Sequence, residues 1–130
     1  MDNKQKIFIV DDDNFLLDMY ALKFSQSGYE VHTASGAEDT LKKLREGFAP
    51  DVMLIDIVMP IMNGFELIEA IDKEGLAKGA LKIILSNRGQ QSDIERGQEL
   101  HADGYIIKAN TTPSEVISKV AEIIAAKKKS

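Results

Sequence analysis

The residues of this chain that could do chemistry stand just after short apolar runs. Asp11, Asp12 and Asp13 follow Ile7 to Val10, Asp56 follows Val52 to Ile55, Ser86 and Asn87 follow Ile83 to Leu85, and Lys108 follows Tyr105 to Ile107. Carboxylates brought together repel, and the remedies are to protonate one or to bind a hard cation. With no imidazole or thiolate in these stretches, oxygen donors favour Mg²⁺, which keeps several waters and binds one or two carboxylates plus a phosphoryl oxygen. A carboxylate can itself be the nucleophile in phosphoryl transfer, giving an aspartyl phosphate. Mg²⁺ and Lys108 would neutralise the equatorial oxygens of the phosphoryl group, while Ser86 donates a hydrogen bond.

These residues converge only if the elements before them form one sheet. Four apolar runs, Ile7–Val10, Val52–Ile55, Ile83–Leu85 and Tyr105–Ile107, read as strands covered on both faces. Tyr29 to Thr33 alternates apolar and polar residues, as an edge strand with one wetter face does. Helical patterns lie between them. Ser35 with Glu38, Ser92 with Glu95, and Thr112 with Glu115 fit the capping box, and Pro113 suits a first helical position. Val116, Ile117, Val120, Ile123 and Ile124 line one face of the last helix, with Lys127 to Lys129 near its negative end. Gly28 and Gly47 stop the first two helices, Glu74 to Ala80 is a loop, and Gly97 weakens the helix after Ser92. Five βα units with right-handed crossovers fold as an α/β, doubly wound, five-stranded parallel sheet, flavodoxin-like in order 2-1-3-4-5, flanked by five helices. Its ligand site lies beyond the carboxyl ends of the strands.

Composition bounds the rest. At 130 residues, against roughly 150 for a typical domain, residues 1–130 are expected to form a single domain with an ordered core over about 5–126. With 44% hydrophobic residues the chain has enough apolar material to fold. A net charge of −5 argues against direct binding to a nucleic-acid backbone by this chain alone. The absence of cysteine excludes thiolate catalysis and cysteine-held metal centres. The four apolar residues Ile7 to Val10 are too few for a signal peptide and no run suits a membrane span, so a cytoplasmic location is expected.

Four segments resemble the receiver domain of two-component response regulators: IFIV-Asp11-Asp12-Asp13, LI-Asp56-IVM-Pro60-IMN-Gly64, IIL-Ser86, and AD-Gly104-Tyr105-II-Lys108. Together they cover essentially the whole chain in the family's order. The resemblance implies that Asp56 is the phosphoacceptor and that Asp12, the Asp56 carboxylate and the Val58 carbonyl hold Mg²⁺, with Asp11 acting mainly through a metal-bound water. It further implies that Lys108 pairs with the phosphoryl group, that Ser86 swings toward it, and that Tyr105 is an aromatic switch. The chain would accept phosphate from a histidine kinase or a histidine phosphotransfer protein. It would catalyse its own phosphorylation and slow dephosphorylation, as a signalling switch and not a turnover enzyme. The face of the fourth helix, fifth strand and fifth helix would then bind a downstream protein or a second copy.

The resemblance has departures. Asn87 follows Ser86 where a small residue is usual, and its amide would narrow the phosphoryl pocket. Ala109 follows Lys108 in place of proline, which leaves the isomer of that bond open. Val58 cannot hydrogen-bond an attacking water, and Arg88 is expected to cover the phosphate, which together predict a long-lived aspartyl phosphate. The bland readings are that Asp13 only caps the next helix, that Tyr105 is plain strand packing, that His32 and His101 are exposed, and that Met53, Met59, Met62 and Phe65 are packing, with Pro60 and Gly64 shaping a turn. Asn87 and Ala109 also suit a phosphate-independent interaction module. A Mg²⁺-dependent phosphohydrolase would need a second acid as general acid/base near Asp56, and Val58 stands two residues on; a flavodoxin-like binder would need a phosphate-cradling loop after the first strand, where three aspartates stand instead.

Overall fold

The computed structural model describes residues 4–128. Strands β1 (Lys6–Val10), β2 (Glu30–Ala34), β3 (Val52–Ile55), β4 (Leu81–Ser86) and β5 (Gly104–Ile107) alternate with helices α1 (Asn14–Gln26), α2 (Ala37–Arg45), α3 (Gly64–Glu74), α4 (Gln91–Glu99) and α5 (Pro113–Lys128). The strands pair in parallel in the order β2-β1-β3-β4-β5, so the doubly wound, flavodoxin-like arrangement read from the sequence is the one observed.

The alternation of side chains along each strand divides the core in two. Phe8, Val10, Met53, Ile55 and Ile84 point toward α2 and α3, where they meet Leu41, Leu44, Leu67, Ile68 and Ile71. Ile7, Ile9, Val52, Leu54, Ile83 and Leu85 point the other way, toward Leu17, Tyr20 and Phe24 of α1 and Val116, Val120 and Ile124 of α5. Each such side chain contributes about 1.5–3 kcal/mol on full burial. The central strands need this continuous apolarity because both their faces are covered, whereas the edge strand β2 is only half-buried over Val31 to Thr33. Its open edge is partly closed by the Lys43 ammonium, which donates to the Thr33 carbonyl at 2.6 Å.

Two expected caps do not form. Helix α2 starts at Ala37, so Gly36 is the N-cap and Ser35 lies a residue too early to reach the first turn. Helix α4 starts at Gln91, which puts Ser92 inside its first turn; the Asp93 carboxylate instead accepts from the Gln90 N–H at 3.3 Å. The box at α5 forms as read, with the Glu115 N–H on Thr112 Oγ1 at 3.2 Å and the Thr112 N–H on Glu115 at 2.9 Å. Thr112→Ala is therefore expected to lower unfolding free energy by about 1 kcal/mol, read as a lower urea midpoint at unchanged slope. The helix-end cations at Lys127 and Lys128 fall in the last turn of α5, while Lys129 lies outside the described residues.

Gly97 is more than a weak helix residue. A Cβ there would come within 3.1 Å of Ile84 Cδ1 and 3.3 Å of the Tyr105 ring, so the glycine lets α4 sit close against β4 and β5. His32 is half-buried, not exposed as expected: its ring lies 4.3 Å from that of Phe48, and Nε2 is 2.8 Å from Glu30. Among the described residues, no helix is long and apolar enough to cross a membrane.

Candidate functional site

The carboxyl ends of β1 and β3 lie side by side, with Val10 opposite Ile55, so Asp11 and Asp56 emerge next to each other. The backbone fixes both: the Asp56 N–H donates to the Val10 carbonyl at 3.0 Å, and the Asp11 N–H to that of Ala34 at 3.2 Å. Oxygens of Asp11, Asp12 and Asp56 lie within 4.8 Å of one another; Asp11 and Asp56 are buried, and Asp12 is exposed. Lys108 reaches in from the end of β5. Its ammonium donates to Asp11 at 2.6 Å and lies 3.5 Å from Asp56, with the side chain only 8% exposed.

The electrostatics follow from that burial. Loss of water is the main reason the Asp56 carboxyl is pushed up from 3.8 to about 6; Lys108 opposes the shift, Asp11 adds to it, and the Val58 and Ile57 N–H groups oppose it. For Lys108, burial works against the charged form, but the hydrogen bond to Asp11 and the charges of Asp56 and Asp11 outweigh it and hold its pKa above the ordinary lysine value. Three carboxylates and one ammonium leave a net negative cluster of oxygen donors, which suits a hard divalent cation.

The loop after Asp56 is shaped by two residues. Ile61, fully exposed, takes the left-handed backbone conformation at φ 71°. Gly64 matters for space instead. A Cβ there would fall 2.3 Å from the Asp56 carbonyl oxygen and 2.9 Å from Ile57 Cα, so glycine lets the start of α3 press against the backbone that carries Asp56. The Gly64 N–H donates to the Ile57 carbonyl at 2.9 Å. A capping box between Asn63 and Glu66, unnoticed in the sequence, starts α3 at this point. Met53, Met59 and Phe65 are buried in the core, and Met62 packs on it, as read. The groove of about 600 Å³ bordered by Ser35, Leu41, Pro60 and Ile61 is lined by none of Asp11, Asp12 and Asp56.

Ser86 and Tyr105 meet through a third residue. The Ser86 hydroxyl, wholly buried, accepts from the Arg88 N–H at 3.2 Å, and the Tyr105 hydroxyl donates to the Arg88 carbonyl. Contrary to the expectation from sequence, the Arg88 guanidinium does not turn to the acidic cluster; it donates to Asp93 of α4 at 2.8 Å. Asp93 is the residue that sequence reasoning missed. Its carboxylate is buried although its helix pattern marks it as an ordinary first-turn acid, and the one available signal was an arginine five residues before it. Asp13 does what its bland reading assigned, accepting from the N–H groups of Phe15 and Leu16 at 3.0 and 3.1 Å as the cap of α1. Asn87 is exposed, and the bond from Lys108 to Ala109 is trans, leading into a 3₁₀ turn over Lys108–Asn110.

The model of the response regulator receiver domain matches residues 7–121. The chain belongs to this family. Among its relatives, the alkaline phosphatase synthesis transcriptional regulatory protein PhoP of Bacillus subtilis is 32% identical over 92% of this chain and 48% of its own length. The phosphate regulon transcriptional regulatory protein PhoB of Escherichia coli is 26% identical over 92% of this chain and 52% of its own. The chain thus spans about half the length of the curated relatives it matches. A CheY-like receiver domain protein from Methanospirillum hungatei superposes with a TM-score of 0.85 at 30% identity, covering 98% of this chain and all of the other. The beryllofluoride-activated DrrB receiver domain gives 0.80 at 26% identity over 95% of this chain and 99% of its own. This chain is a receiver domain of the two-component response regulators, and its acidic pocket of Asp11, Asp12 and Asp56 fits a phosphoryl-accepting site.

Proposed function

We propose that the chain is a phosphorylation-activated signalling switch in which Asp56 is the phosphoacceptor. The observation that carries this reading is the buried Lys108 ammonium set between Asp11 and Asp56, an arrangement with no obvious use in a bland surface turn. Asp56 is ionised at neutral pH despite its raised pKa of about 6, so its oxygen is available as a nucleophile. It bonds to phosphorus as the P–N bond of a phosphohistidine breaks, the electron pair leaving with the imidazole. The donor is a histidine kinase or a histidine phosphotransfer protein. Lys108 then faces one more negative group and is placed to pair with it. Asp12, Asp56 and the Val58 carbonyl, with Asp11 beside them, are the groups that would hold Mg²⁺; once bound, it would offset the charge on the phosphoryl oxygens.

Ser86 and Tyr105 are the switch residues in this reading. A new dianion on Asp56 attracts the Ser86 hydroxyl, and any move of Ser86 is felt by Tyr105 because both bond to the Arg88 backbone. The readout is the face formed by α4, β5 and α5, which binds a downstream protein or a second copy. Direct contact with nucleic acid by this domain is not part of the proposal, and the location it entails is cytoplasmic.

The test is incubation with acetyl phosphate and Mg²⁺ followed by intact mass and peptide mapping. A single phosphoryl adduct on Asp56 is expected, absent from Asp56→Asn and absent when a chelator is present throughout the incubation. An unmodified wild type would instead favour the phosphate-independent interaction module, and phosphate released from many unrelated monoesters would favour a hydrolase.

A further inference from the structure

Helix α4 buries a carboxylate that the proposed phosphoryl chemistry does not use. Asp93 is 4% exposed, and its two oxygens are taken separately: one accepts from the Arg88 guanidinium at 2.8 Å, the other from the Gln90 N–H at 3.3 Å. Arg88, by contrast, is half-exposed at the side chain. A buried acid paired with a solvent-reaching arginine makes an asymmetric link, because the arginine can leave into water while the acid cannot. Arg88 also has the central place in the loop, its N–H on Ser86 and its carbonyl receiving the Tyr105 hydroxyl. The same neighbourhood borders the phosphoacceptor: β3 and β4 lie side by side in parallel, with Ile55 opposite Ile84, so Asp56 and the turn from Ser86 to Arg88 leave the sheet at adjacent strand ends. Burial first, then the charges of Asp93 and Asp56, raise the pKa of the Tyr105 hydroxyl, with Arg88 opposing them.

We infer that Asp93 is a positioning residue that holds the Arg88 guanidinium on α4 and away from Asp56, and that a phosphoryl group on Asp56 competes for that guanidinium and loosens the start of α4. This deepens the proposed function, since it rests on Asp56 as phosphoacceptor. Charge supplies the driving force: the phosphoryl group carries about 1.5–2 negative charges where the ionised Asp56 carboxylate carried one, and it offers three acceptor oxygens to an arginine whose present partner is a single carboxylate. Arginine favours a phosphoryl group because its planar fork can donate two parallel hydrogen bonds. The Asp93 carboxylate left behind keeps the Gln90 N–H but loses its cation, which weakens the first turn of α4. The signal would therefore reach α4 through an exchange of partners on Arg88, alongside any movement of Ser86 and Tyr105.

The test is an amide NMR titration with beryllofluoride and Mg²⁺ on four proteins: wild type, Asp93→Asn, Arg88→Gln and the double variant. The Asp93→Asn change preserves an acceptor for Gln90 and removes the charge that retains Arg88. Half-saturation is expected about fivefold lower in Asp93→Asn than in wild type, and the same Asp93 change is expected to shift it less than about twofold in the Arg88→Gln background. An equal shift in both backgrounds would mean that Asp93 acts through the helix start alone, and would overturn the inference; so would no shift or a weaker affinity in Asp93→Asn. Should Arg88→Gln lose its dispersed spectrum, Arg88→Lys replaces it, with the coupling then expected to be reduced in place of absent. A wild type blind to beryllofluoride would overturn the phosphoacceptor reading itself. Normal wild-type binding without coupling would overturn only the role of Asp93.

Discussion

Lys108→Ala is expected to destabilise the protein by about 3–5 kcal/mol at pH 7 without divalent cations, the usual cost of removing one partner from a buried ion pair. The reason lies in how little water can substitute for the lost ammonium. Side-chain exposures are 8% for Lys108, 4% for Asp11 and 9% for Asp56, so the two carboxylates left behind would face each other with only backbone N–H groups to answer them. The loss should be uneven across pH. Lys108 opposes the upward shift of Asp56, so without it the Asp56 carboxyl moves further above 6, and protonation relieves the repulsion as pH falls. The gap between variant and wild type in urea unfolding should therefore narrow from pH 8 to pH 5. Millimolar Mg²⁺ should narrow it as well, by supplying positive charge to the same oxygens. A loss below about 1 kcal/mol at pH 7 with a chelator present would sink the idea, since it would place Lys108 among solvent-screened surface pairs.

The difference between what could and could not be read in the sequence has a physical pattern. Strands came through because the central ones are covered on both faces and must be apolar along their length: Val52 to Ile55 has the same limits in the sequence as in the fold. The acidic cluster came through for a related reason, in that strand ends fix where Asp11, Asp56 and Lys108 must go. Positions set by a single residue of register did not. Ser35 and Ser92 have the composition of caps, yet a helix start one residue later than Ser35 requires, and two residues earlier than Ser92 requires, removes them from the cap position. Side-chain partners across elements were the least legible. The five-residue spacing of Arg88 and Asp93 does not by itself announce that they pair, because that choice depends on α4 lying close to β5, which in turn depends on the missing Cβ of Gly97. Gly64 is similar: a turn residue by composition, it is needed for the close approach of α3 to the Asp56 backbone.

Asp56→Asn should give the second large effect, and its direction is opposite to that of most buried substitutions. In the folded protein burial raises the Asp56 carboxyl from 3.8 to about 6, with Asp11 adding to the shift. A group whose folded pKa lies above its unfolded value favours folding when protonated, so its contribution is complete below about pH 4 and disappears as pH rises through about 6. At pH 7.5 the ionised carboxylate then costs the metal-free fold on the order of 2–3 kcal/mol, a figure that follows from the rise from 3.8 to about 6. Asparagine has nearly the same shape and no charge. Without divalent cations Asp56→Asn should thus be more stable than wild type at pH 7.5, with the two converging toward pH 4.5 in urea unfolding. Mg²⁺ should reverse the order at high concentration, because it stabilises whichever protein binds it better, and the wild type keeps the third carboxylate of the cluster. An Asp56→Asn protein less stable than wild type at pH 7.5 with a chelator present would show that hydrogen bonds to the ionised carboxylate, and not its desolvation, dominate at this position. The phosphoacceptor reading makes sense of the strain: a site that binds a cation and then a phosphoryl group cannot also be optimised for stability while empty of both.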